Sequence, residues 1–333
     1  MLKGHQSWVF NSKPVILSSA AIGGPFEGKG NVAEDFDILH EDLWLGQDSF
    51  EKAEKKLLEE ACEKVIEKAK KKKEDIQFFI SGDLMNQIIS SSFTARTLGA
   101  PFLGIFGACS SSMEGLALAS LLIDSNAANY IIAAACSHNA SAEKQFRYPT
   151  EYGSQKPPTS QWTVTGAGAV LLSKNGQGPR VTSATIGRVV DMGISDPFNM
   201  GSAMAPAAVD TIEAHFRDLN IDPSYYDLIA TGDLGQVGHR IACDLLTEHG
   251  FKMPPEIFTD CGILIYKKDQ PVMAGGSGCG CSATVTYGHF LNRMRRGELK
   301  RILIVATGAL MSPMSYQQKE SIPCIAHAVS IEM

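Results

Sequence analysis

No segment of this 333-residue chain is apolar for long enough to cross a bilayer. The longest apolar runs, such as residues 116–123, fall far short of the roughly 18 residues a spanning helix needs. Residues 1–10 hold no apolar core, so no signal peptide is expected and any membrane association would be peripheral. The eight cysteines include no Cys-x-x-Cys pair. The one close pair, Cys279 and Cys281, has no second pair to complete a zinc site, so we expect no metal centre and no cofactor. Scattered cysteines of this kind read as reduced thiols in a cytosol-like compartment. There is no basic surplus either: the net charge is −6, which argues against general nucleic-acid binding. One basic block, Lys70-Lys71-Lys72-Lys73, closes a predicted helix. It reads as a solvated helix end complementing the dipole, or as a weak contact with anionic lipid. No Gly/Ser or Pro linker divides the chain, so one body is expected.

What the sequence does contain is a duplication. Ser81-Gly82-Asp83-Leu84 recurs as Thr231-Gly232-Asp233-Leu234, each after a short apolar run. Gly107-Ala108-Cys109-Ser110-Ser111 recurs more weakly as Gly278-Cys279-Gly280-Cys281-Ser282, and Ile131-Ile132-Ala133-Ala134-Ala135 as Ile302-Leu303-Ile304-Val305-Ala306. The last two pairs share one offset of 171 residues, 278 against 107 and 302 against 131. A common offset across independent runs points to a repeated α/β unit, with a pocket where the halves meet. We place the halves at 1–178, carrying Cys109, and at 179–333.

Periodicity supplies the elements. Phe50, Ala53, Leu57, Ala61, Val65 and Ala69 fall at steps of three and four, which predicts an amphipathic helix over 50–73. Strands are expected at 14–21, 75–80, 102–106 and 130–136, and a helix at 93–98. The helix predicted over 110–123 has hardly any polar face, so it must be covered on all sides, between two sheets. Residues 137–161 read as a long polar loop, and 163–172 with 179–190 as a hairpin. In the second half, helices are expected near 206–219, 238–249 and 282–296, strands at 227–231, 301–307 and 323–331, and an insertion at 251–274.

Cys109 falls between a strand and the buried helix. Unpaired N–H groups at a helix start favour an anion there and can lower a thiol's pKa. Two readings stand: a nucleophile, or a small buried thiol that packs or touches a ligand, with Ser110 or Ser111 capping the helix. Acyl transfer would also need a base and an oxyanion hole. His138, or the Cys324 and His327 that open the last strand, are candidates for recruitment, or satisfied interior residues. Between 136 and 153 the chain gathers Ser137, His138, Lys144, Arg147 and Tyr148. Arg and Lys recognise carboxylates and Tyr stacks on a flat ring; the same run also reads as an interface loop.

The Gly-Ala-Cys elbow, the buried helix behind it, the run Thr165-Gly166-Ala167-Gly168-Ala169-Val170 and the duplication resemble the thiolase and β-ketoacyl synthase fold. The resemblance implies an α/β architecture of two βαβαβαββ halves in five αβαβα layers, with two buried central helices. It also implies a homodimer, expected through the strand near 131–136. In that family the second half supplies His and Asn, or two His, at the loops matching 231–235 and 275–282. Here those loops read Thr-Gly-Asp-Leu-Gly and Gly-Gly-Ser-Gly-Cys-Gly-Cys-Ser, with neither residue.

Four longer runs narrow the match: residues 107–115, 137–153, 200–208 and 318–327 closely resemble the stage V sporulation protein AD family. That resemblance implies a non-catalytic, thiolase-like protein that binds dipicolinic acid, free or as its calcium chelate. It implies a place peripheral to the spore inner membrane and, as partners, the membrane proteins of the SpoVA operon. On this reading Cys109, Ser110, Ser111, Ser137, His138, Lys144, Arg147 and Tyr148 are the candidate ligand-binding residues, with no catalytic residue. The alternatives are an acyl-transfer enzyme using Cys109, or a scaffold for the channel.

Overall fold

Strict alternation within the strands decides the layering. Ile131, Ala133 and Ala135 join one buried cluster, and Ile132, Ala134 and Cys136 join another. A strand whose two faces are both apolar must be covered on both sides. The computed structural model describes residues 1–146 and 156–333. It contains two five-stranded arrangements with the same order. In the first, the strands Val15–Gly23, Gly166–Ser173, Tyr130–Ser137, Phe78–Gly82 and Phe102–Gly104 lie side by side. In the second, Arg180–Thr185, Cys324–Glu332, Arg301–Ala309, Leu228–Thr231 and Phe258–Asp260 repeat that order. In each set the first two pairings are antiparallel and the last two parallel. A single pairing, Val15 with Arg180, joins the two sheets at their edges.

Helices fill three layers around these sheets. Helix α1 (Phe50–Lys68) and α2 (Ile89–Leu98) cover the outer face of the first sheet. Helix α3 (Ser111–Asp124) runs between the sheets; its Met113, Leu116, Ala117 and Ile123 have no exposed surface and share a cluster with residues of both. Burial of each of its larger side chains contributes about 1.5–3 kcal/mol. Helix α4 spans Asn139–Phe146, and α5 (Met200–Leu219) and α6 (Gly235–Glu248) cover the second sheet. After the short α7 (Cys261–Ile265) comes the second central helix, α8. It starts at Cys279, passes through π geometry at Val285–Phe290 and ends at Arg295. The thiolase-like α/β architecture expected from the sequence is the one observed.

Several local expectations are corrected. Residues 166–173 and 180–185 are not a hairpin; the strand Val15–Gly23 lies between them. The stretch read as one polar loop contains α4, whose Asn139, Ser141 and Ala142 are buried. Helix α5 starts at Met200, so Pro206, which reads as a helix start, lies inside it. Helix α1 ends at Lys68, and Lys70 adopts a left-handed φ of 54°. The lysine block therefore leaves the helix: Lys73 pairs with Glu63, and the Lys71 ammonium lies 4.4 Å from the centre of the Tyr130 ring. The supposed insertion holds the strand Phe258–Asp260, which belongs to the repeat, and most of the extra length follows it. The strand Tyr130–Ser137 is paired on both sides, so a second copy cannot add to it.

Candidate functional site

The elbow before α3 is built from a strained residue and two inward-facing hydroxyls. Ala108 adopts φ +49°, a left-handed conformation that costs an alanine about 1–2 kcal/mol. Its carbonyl is held by the Ser111 Oγ donor at 2.8 Å and by the Cys279 thiol at 2.9 Å. Ser110 Oγ donates to the Gly107 carbonyl at 2.6 Å. This turn sets Cys109 at the foot of α3, with only 6% of its surface exposed. The second half approaches closely enough to forbid a side chain there: a Cβ on Gly308 would lie 2.2 Å from the Gly107 carbonyl.

Opposite the sulfur stands a carboxylate. Asp233, from the second Gly-Asp-Leu turn, is buried. Its Oδ1 accepts from Thr307 Oγ1 at 2.7 Å, and its Oδ2 from Ser277 Oγ at 3.0 Å and from the Gly278 N–H at 2.9 Å. Burial pushes the Asp233 carboxyl up to about 6, against the pull of its hydrogen bonds from Thr307, Gly278 and Cys109. Burial first, and the Asp233 charge second, raise the Cys109 thiol well above the ordinary thiol range. A sulfur in these surroundings keeps its proton at neutral pH, whereas a nucleophilic cysteine needs a cation or imidazole beside it.

Cys109 and Ser277 floor a cavity of ≈60 Å³, room for about four waters. Its walls are largely apolar, with Leu84, Phe106, Phe146 and Met311 shared with an outer groove of ≈340 Å³. The one charged residue lining the cavity, among those described, is Glu143 of α4.

The sequence-derived candidates divide around this cavity. Cys109 lines it. Ser110 and Ser111 adjoin it but spend their hydroxyls on the elbow's own carbonyls. Ser137 Oγ donates to the Val164 carbonyl at 2.7 Å and accepts from the Gly280 N–H at 3.0 Å, tying the first sheet to α8. His138 packs as an interior residue: Nε2 lies 2.9 Å from the Leu43 carbonyl, the ring stacks on Phe50, and burial lowers its pKa. Lys144 points away from the cavity to the α1 surface, where it pairs with Glu51 at 2.7 Å. Arg147 and Tyr148 lie outside the described residues. Cys324 and His327 are buried in the second sheet; His327 accepts from the Gly187 N–H, and burial lowers its pKa to about 4. The structure adds Asp233, Ser277, Glu143 and, behind Glu143, Lys156. The repeated Gly-Asp-Leu was the signal for Asp233; no spacing pattern pointed to the others.

With this geometry in view, the comparisons with known proteins are decisive on kinship. The model of stage V sporulation protein AD (SpoVAD) matches residues 4–332. The stage V sporulation protein AD of Bacillus subtilis (strain 168) is 51% identical over 331 residues, covering 99% of this chain and 98% of that protein. The chain belongs to the stage V sporulation protein AD family. Solved structures show the fold at lower identity. Human mitochondrial 3-ketoacyl-CoA thiolase in complex with CoA aligns over 99% of both chains with a TM-score of 0.62 and 13% identity. An OleA variant of Xanthomonas campestris aligns over 97% of this chain and 99% of its own, with a TM-score of 0.63 and 13% identity. The 3-oxoacyl-[acyl-carrier-protein] synthase III of Aquifex aeolicus VF5 covers 96% and 100%, with a TM-score of 0.58 and 14% identity. Family membership makes this a sporulation protein on a thiolase-like scaffold. No helix among the described residues is long and apolar enough to cross a membrane.

Proposed function

We propose that the protein is a non-catalytic receptor for dipicolinic acid, free or as its calcium chelate, within the dipicolinate uptake and release system of spores. The observation that carries this reading is the carboxylate of Asp233 facing the Cys109 thiol, where acyl transfer needs a cation or an imidazole to hold the sulfur as thiolate. With the thiol kept protonated, the elbow is left as a floor, and the largely apolar walls suit a flat ring. Family membership supports the setting, and the sequence resemblance supports the ligand. We place the protein at the inner spore membrane as a peripheral component that works with the membrane proteins of the SpoVA operon.

We also propose a homodimer, formed through a different strand from the one first expected. Among the described residues Phe102–Gly104 is paired on one side only, and Leu103, Phe93, Ile89 and Phe106 are each at least 39% exposed around it. A second copy pairing there would cover both the free backbone groups and this apolar patch.

Isothermal titration calorimetry with dipicolinate, with and without Ca²⁺, tests the receptor. Saturable binding to wild-type protein, retained in Cys109→Ala, is the expected result. No heat under either condition would overturn the reading and favour the scaffold role.

A further inference from the structure

An anionic ligand entering the Cys109 cavity meets the wrong sign of charge. The only charged group lining it, among the described residues, is the Glu143 carboxylate. That carboxylate is not idle: Glu143 Oε1 accepts from Lys156 Nζ at 2.8 Å. Only 19% of the lysine side chain and 18% of the glutamate side chain are exposed. The same ammonium lies 4.9 Å from the centre of the Trp162 ring. Trp162 adjoins Thr163, which lines the cavity and belongs to the short parallel pairing with Gly276–Ser277. The lysine is thus held directly behind the cavity-lining Glu143 by one carboxylate and one aromatic face.

We propose that Lys156 is the cation that recognises a carboxylate of the ligand, and that it does so by exchanging Glu143 for that carboxylate while Trp162 keeps the ammonium in place. The ligand class is a flat aromatic acid. The inference rests on the dipicolinate reading and adds the recognition group that the described lining residues lack. In the free protein Glu143 occupies the lysine and repels the ligand's charge. On binding, one ion pair replaces another of similar burial, so affinity is set by how strongly Glu143 competes. A purely structural ion pair makes the opposite prediction, since breaking it from either side would loosen the cavity wall and weaken binding.

Dipicolinate titrations on the full-length protein separate the two. Glu143→Gln removes the competitor and the repulsion, and binding tightens severalfold. Lys156→Met removes a charge-assisted contact, and binding weakens about tenfold or more. Lys156→Arg falls between Lys156→Met and wild type, and Lys144→Met, on the α1 surface, binds as wild type does. Weaker or unchanged binding in Glu143→Gln overturns the exchange, and that arm decides even if Lys156→Met fails to fold. Wild-type binding in folded Lys156→Met overturns the role of the lysine. No binding by the wild-type protein overturns the dipicolinate reading itself, which is a different outcome from binding that ignores both variants.

Discussion

At the scale of single residues the account turns on which group faces the Cys109 sulfur. Asp233 gathers Thr307, Ser277 and the Gly278 N–H around one buried carboxylate. Replacing it with alanine strands three buried donors. The expected cost is at least about 3 kcal/mol of folding stability, measured by chemical denaturation; a loss below about 1 kcal/mol would show that the network is dispensable. A second buried acid gives a pH signature. Glu27 accepts from the Thr165 N–H at 3.0 Å and from Tyr266, yet burial pushes its carboxyl from 4.5 up to about 7. In the unfolded chain this group ionises near 4.5, while the folded protein holds the proton to about 7. Stability from this group is therefore present at low pH and lost as pH rises through that window, by about 3 kcal/mol in all. Relative to wild type, Glu27→Gln is expected to gain melting temperature steadily from pH 5 to pH 8. A difference that stays flat with pH contradicts this.

At the scale of elements, the two central helices meet through short polar bridges in an otherwise apolar layer. Ser112 Oγ and Ser282 Oγ lie 2.7 Å apart, and Tyr287 of α8 donates to the Ser112 carbonyl at 2.8 Å. Ser282→Ala takes this partner from the buried Ser112 hydroxyl and costs about 1–3 kcal/mol, Ser112→Ala costs less because Ser282 Oγ keeps its 3.4 Å bond to the Cys109 carbonyl, and the double variant costs less than the two singles summed. Additive losses in a double-mutant cycle would contradict the pairing. The same scale shows what was legible in the sequence. The apolar helix over 110–123 and the shared offset of 171 residues led to two sheets with a covered helix between them, because both signals are local or repeat in register. The order of the strands was not legible. Residues 166–173 and 180–185 look adjacent along the chain, but pairing with Val15–Gly23 is a long-range choice that no local pattern encodes. Helix α4 was missed because its small polar residues read as loop until the Asn139, Ser141 and Ala142 face is buried. The site was half legible for the same reason: Cys109 announces itself by its elbow, whereas Lys156 matters only through the partner that folding brings to it.

At the scale of the whole molecule, duplication produces two sheets in one order, and the halves have diverged where they face each other. The first half keeps the elbow cysteine; the second presents Asp233 and the Gly278 backbone N–H to it. Of the two end strands among the described residues, Phe102–Gly104 has an apolar surround, and Leu103→Asp is expected to convert a dimer to a monomer in sedimentation velocity. A variant that sediments as wild type would place any interface elsewhere. The central claim concerns what the cavity between the halves does: it holds a ligand and does not transfer an acyl group. Its most direct test is mass spectrometry of the protein after incubation with a panel of acyl-CoA thioesters. The account predicts an unmodified Cys109 peptide and intact thioester. An acyl adduct on Cys109 accompanied by release of free CoA would contradict it.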